Sequence, residues 1–77
     1  MPRALYVVIL SQQKWWVDYE GKAHGPFASL EAATDEGRQL ARFAAHSGKP
    51  SEVLVPDERG RYSVIWASEN EPHSTAA

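Results

Sequence analysis

Three histidines, His24, His46 and His73, are the side chains most able to hold a metal, and their separation decides against it. A metal site built on one element needs two ligands at close spacing, and no pair here has it. His46, close to the end of a helical segment, suits the negative end of a helix dipole instead. Nucleophile chemistry would need a serine in a Gly-x-Ser-x-Gly turn, and none of the serines at 11, 29, 47, 51, 63, 68 and 74 stands in one. Asp35 and Glu36 are adjacent carboxylates on an exposed helix face, where no burial would raise a pKa for acid–base work. The glycines of "EGKAHG" lack phosphate-loop spacing. Arg38 and Arg42, one helical turn apart, could grip a phosphate or carboxylate, but acids close to Arg38 favour local ion pairs on a solvated face. There is no cysteine, which removes disulfides, thiolate ligands and thiol nucleophiles and fits a reducing, cytoplasmic setting. The sequence therefore reads as a binding module rather than an enzyme, with no cofactor implied.

Aromatic residues carry the remaining signal. In "KWWVDYE", Lys14 to Glu20, strand alternation sends Trp15, Val17 and Tyr19 to one face and Trp16, Asp18 and Glu20 to the other. Trp15 is expected in the core, together with Tyr62, Val64 and Trp66 from a later strand, Leu30, Leu40, and Phe43 or Phe27. Trp16, Ile65, Val7 and Ile9 are left for the opposite face, an apolar patch of the kind that marks an interface. Self-association or a protein partner is the first expectation. Nucleic-acid binding is the alternative, with Trp16 stacking a base and Lys14, Arg59 or Arg61 reaching phosphates.

The elements that must position these residues follow from periodicity. Leu5 to Leu10 is an unbroken apolar run of strand length, expected to be central and covered on both faces. It is too short and too β-branched for a signal peptide, and nothing approaches the ~20 apolar residues of a membrane span. A polar "SQQ" turn joins it to the strand Lys14–Glu20, making a hairpin that Gly21 ends. Lys22 to Ala28 contains Gly25 and Pro26 and reads as a loop or a short irregular edge segment anchored by Phe27. Ser29 is a candidate N-cap, and Leu30, Ala33, Gly37, Leu40, Ala41 and Ala44 then follow at helical spacing. Gly48 and Pro50 stop the helix. Gly37, costly inside a helix, implies close approach to the sheet, and a Trp is one candidate for what lies beneath it. Strands at Glu52–Val55 and Arg61–Ala67 form a second hairpin around "PDERG". The expected fold is one two-layer α+β domain over residues 1–67, an antiparallel sheet in the order β-β-α-β-β with the helix on one face. Residues 68–77 hold no large apolar side chain and are expected to be a disordered tail.

These segments also carry a family resemblance. "WWVDYEG", "ASLEAATDEGRQLARF" and "SEVLVPDERGRYSV" resemble the small bacterial domains grouped as Domain of Unknown Function 2188. The shared pattern is an aromatic-x-Val strand, here Trp15 and Val17, followed by a helix with Ala33, Gly37, Arg38, Leu40 and Ala41, then a hairpin with a polar Gly turn. It spans roughly Tyr6 to Val64. Asp18 stands where a basic residue is usual, and "SVIWAS" replaces a more polar end. Since the function of that family is itself unknown, the resemblance implies a fold and no site.

Size and charge agree with a binding role. A chain of 77 residues buries only a marginal core, so a partner that supplies further burial is a natural expectation. The net charge is −2, and Glu69 and Glu71 in the tail account for it. The remainder is electrically balanced and offers no basic field for non-specific nucleic-acid binding.

Overall fold

The structure, a computed structural model, describes residues 3–70. Five strands and one helix are present: β1 (Ala4–Ser11), β2 (Lys14–Tyr19), β3 (Lys22–Phe27), α1 (Leu30–His46), β4 (Ser51–Pro56) and β5 (Tyr62–Ala67), followed by a 3-10 turn at Ser68–Asn70. The fold is α+β, and the order β-β-α-β-β holds with one more strand, β3, inserted before the helix. Spatially the strands run β3-β2-β1-β4-β5.

The sheet is mixed, and the expectation of a purely antiparallel sheet is corrected. Neighbouring pairs are antiparallel except β1 and β4, which run parallel from Ala4↔Ser51 to Val7↔Leu54. The cause is the segment read as a loop or irregular edge. Because Lys22–Phe27 forms a strand, the chain makes one more reversal before α1, and β4 then starts at the same end of the sheet as β1. Pro26 is accommodated because β3 is an edge. Both early hairpins turn through two residues of positive φ, Gln12 and Gln13 (55° and 65°) and Glu20 and Gly21 (53° and 83°), as type I′ turns require.

Helix α1 is capped at both ends. The Ala32 N–H donates to Ser29 Oγ at 3.0 Å. At the other end Gly48 (φ 92°) makes a Schellman motif: its N–H donates to the Ala45 carbonyl at 2.9 Å, and the Lys49 N–H donates to that of Ala44 at 3.0 Å.

Apart from Tyr6, the core is built from small and β-branched residues. Ala33, Gly37 and Ala41, at every fourth position, are the buried stripe of α1, and Ala4, Tyr6, Val8, Val17 and Val53 are the sheet residues buried beneath. A Cβ placed on Gly37 would lie 3.4 Å from Val53 Cγ1 and 3.9 Å from both methyls of Val17. Gly37 thus packs over two valines, not over a tryptophan. With the helix so close to Val17 and Val53, Tyr6 is the one ring among the described residues that is buried in this layer. Trp15, Tyr19, Phe27 and Trp66 instead pack half-buried around the margin. Phe27 joins the core, whereas Phe43 is 74% exposed.

The domain extends past Ala67. Ser68 Oγ accepts the main-chain N–H of the buried Ser51 at 3.1 Å, and Glu69 pairs with Arg3. The rest of the expected tail, 71–77, lies outside the described residues.

Candidate functional site

The side of the sheet opposite α1 is the candidate site, and pairing register places its residues. On β1 and β2, Ile9 stands beside Trp16, Val7 beside Asp18, and Ser11 beside Lys14. Leu54 of β4 flanks Val7 on the other side, and Glu52 flanks Leu5. On β5, Val64 partners Leu54 and Tyr62 partners Pro56. Leu5, Tyr62, Val64 and Ile65 are 44%, 44%, 48% and 37% exposed, and Val7, Ile9, Trp16 and Leu54 are half-buried. No described segment covers this face. The expectation that β1 is covered on both faces is therefore corrected: it is central, but only its helix side is covered.

A bulge decides which β5 residues belong here. Val53 pairs with Trp66, but the next residue, Leu54, pairs with Val64, so Ile65 is the extra residue. One inserted residue reverses alternation beyond it. Trp66 stays with the helix-side core as expected, while Val64 and Tyr62, expected beside it, lie on the open face. Tyr62 is fastened there: its hydroxyl donates to the Val8 carbonyl at 2.9 Å.

Trp16 is where alternation places it, and it is held. Its indole Nε1–H donates to the Ser11 carbonyl at 3.1 Å. Beside it, β3 bulges between the pairs Trp15↔Phe27 and Val17↔His24. Gly25 lies in that bulge at φ 140°, and a Cβ there would come within 3.2 Å of Trp16 Cε3 and 3.0 Å of the Trp15 carbonyl oxygen. A half-buried indole with its N–H satisfied and one edge against backbone is a rigid apolar surface. Such anchors lose little conformational freedom on binding.

The basic residues of the nucleic-acid alternative are dispersed. Lys14 is exposed at one end of the open face. Arg59 and Arg61 belong to the β4–β5 turn, where both main-chain N–H groups donate to Asp57 Oδ1, at 2.8 and 2.9 Å. Two carboxylates share the face. Glu52 is paired with Arg3 at 3.3 Å, and Asp18 is half-buried with no hydrogen bond or ion pair from its side chain to another described residue. Leu5, Leu54 and Asp18 were legible from alternation as companions of Val7 and Trp16; Tyr62 and Val64 were not, because the bulge leaves no mark in the sequence.

On the helix side, Trp15, Leu30, Pro56, Asp57, Glu58 and Arg59 line an open groove of about 520 Å³. Its acid Asp57 is engaged in the turn, and Trp15 is wall rather than buried core. A second cluster joins Tyr6, Tyr19 and Lys49. The two rings stack with centroids 4.5 Å apart, and Lys49 Nζ donates to the Tyr19 hydroxyl at 2.9 Å. Burial pushes the Tyr6 hydroxyl above the usual tyrosine value, and the bond to Tyr19 raises Lys49. His24 and His46 are both exposed, and no group of three metal-ligating side chains occurs among the described residues. No described helix is long and apolar enough to cross a membrane.

No family model matches the chain, and neither a curated protein nor a solved structure matches it closely enough to carry an argument. The likeness to Domain of Unknown Function 2188 thus rests on the residues that suggested it.

Proposed function

We propose that this protein is a non-catalytic interaction module that works through the open face of its sheet, with self-association as its primary use. One observation carries the reading: Leu5, Val7, Ile9, Trp16, Leu54, Val64 and Tyr62 form a continuous apolar surface across four strands that no described part of the chain covers. Burial on a partner is worth roughly 25 cal/mol per Å² of apolar area, and a chain this short has few other sources of it. Asp18 and Glu52 on the same face weigh against a phosphate-tracking role.

Sedimentation velocity over a range of concentrations tests this. The wild type should show a reversible, concentration-dependent increase in mass, and Trp16→Ala and Val64→Glu should each remain folded and shift toward monomer. A wild type that stays monomeric throughout would sink the reading. If single-stranded oligonucleotides then quenched tryptophan fluorescence in a salt-dependent way, the nucleic-acid alternative would take its place.

A further inference from the structure

The geometry points to a second site, on the helix side of the sheet: the groove beside Trp15 binds a free α-amino acid with a large apolar side chain. This site is independent of the open face. It exists because α1 begins at Leu30 and leaves the ends of β1 and β2 nearest their shared turn uncovered. Leu10 stands beside Trp15 in the register and is 58% exposed, although it alternates with the buried Tyr6 and Val8. Trp15 and Leu30 make one wall of the groove, Pro56 to Arg59 make the other, and about 520 Å³ lies between them. Sites for small molecules have volumes of this order.

Three of the lining residues bring polar groups that are unpaired among the described residues. The indole N–H of Trp15, unlike that of Trp16, has no acceptor there. The side chains of Glu58 and Arg59 have no hydrogen bond or ion pair, either to each other or to another described residue. Asp57 differs, because its Oδ1 accepts the main-chain N–H groups of Arg59 and Arg61 and so fixes the turn that carries Glu58 and Arg59. Glu58 and Arg59 are adjacent, with Cα atoms ~3.8 Å apart, and so set an anion beside a cation as an α-amino acid does. The ligand carboxylate accepts from the Arg59 guanidinium and the Trp15 indole N–H, and its ammonium donates to Glu58. Its side chain lies against Trp15, Leu30 and Leu10. An apolar acid or an apolar amine would satisfy only one of the two charges.

Binding here is weak. Glu58 and Arg59 are exposed, so each ion pair adds little, and most of the affinity comes from apolar contact with the indole. A ligand the size of phenylalanine, about twelve non-hydrogen atoms, at the efficiency of ordinary small-molecule sites has a Kd on the order of 1 mM.

Titration with L-phenylalanine, followed in ¹H–¹⁵N correlation spectra, tests the site. The indole N–H signal of Trp15, assigned by its loss in Trp15→Phe, should move and saturate, while that of Trp16 stays in place. N-acetyl-L-phenylalanine and L-phenylalaninamide each lack one charge and should bind about threefold more weakly; N-acetyl-L-phenylalaninamide lacks both and should bind about tenfold more weakly. Arg59→Gln and Glu58→Gln should each weaken phenylalanine about threefold, with spectra otherwise unchanged because neither side chain is bonded to another described residue. The absence of a saturable shift at Trp15, a shift centred on Trp16, or equal affinity for phenylalanine and its doubly capped form would each overturn the site. A wild type that binds phenylalanine in this way and remains monomeric would sink the open-face reading alone.

Discussion

The hydroxyl of Tyr62 on β5 donates to the main-chain carbonyl of Val8 on β1, reaching past β4, the strand that lies between them. Pro56 stands beside Tyr62 in the register and has no N–H to offer the ladder. The hydroxyl thus bridges strands at a point where backbone pairing fails, and it holds the ring flat on the open face. Tyr62→Phe keeps the ring and removes the bond. It should lower stability by about 1 kcal/mol, toward the low end for a lost partner because the residue is half-exposed. Urea denaturation monitored by circular dichroism would measure it, and a neutral result would show that solvent replaces the hydroxyl.

Gly37 separates propensity from packing. A methyl group there meets Val53 at an ordinary contact distance of 3.4 Å, so Gly37→Ala should be neutral or stabilising by up to about 1 kcal/mol through helix propensity. Gly37→Leu must displace Val17 and Val53 and should cost ~1–3 kcal/mol. Equal effects of the two substitutions would contradict the close approach of α1.

The two adjacent tryptophans should respond differently. Trp15 packs against the core beside Leu30, and Trp15→Ala should cost ~2–4 kcal/mol, somewhat less than for a fully enclosed ring. Trp16→Ala should cost ~1–2 kcal/mol in monomer stability, because its ring is half-exposed and it gives up one hydrogen bond. Gly25→Ala should be costlier than a surface change, ~1–3 kcal/mol, since φ 140° disfavours a side chain and the methyl would press on Trp16. Thermal melts of the three variants would rank them.

Alkaline pH should weaken the fold before general base denaturation. The Tyr6 hydroxyl is raised above the ordinary 10.0 by burial, and Lys49 is raised above 10.5 chiefly by its bond to Tyr19. In both cases the folded state holds a proton that the unfolded chain releases first. Stability from these groups is complete below about pH 10 and is lost as pH rises through the folded-state values. Tyr6→Phe should flatten the fall in melting temperature above pH 10, and an unchanged slope would remove Tyr6 as a cause.

The segment after β5 belongs partly to the domain. A chain ending at Asn70 should be more stable than one ending at Ala67 by about 1–2 kcal/mol, because the shorter one leaves the buried Ser51 N–H without Ser68 Oγ and Arg3 without Glu69. Paired denaturation curves would decide.

Local chemistry alone settled most of the secondary structure. The apolar run Leu5–Leu10, the alternation through Trp15 and Trp16, the Ser29 cap and the Gly48 stop each depend on neighbours within a few residues, and all are present as expected. Two features could be decided only by tertiary structure. Lys22–Phe27, with its Gly25 and Pro26, has weak strand propensity and is a strand because the edge of β2 offers it hydrogen bonds; that added reversal makes β4 parallel to β1. Ile65 is extruded from the ladder because β4 and β5 must match at both Val53↔Trp66 and Leu54↔Val64, and that slip of one residue moves Tyr62 and Val64 from the helix side to the open face. Strand propensity and alternation are properties of one segment, whereas pairing and register belong to two, and the partner's hydrogen bonds are what a single stretch of sequence does not contain.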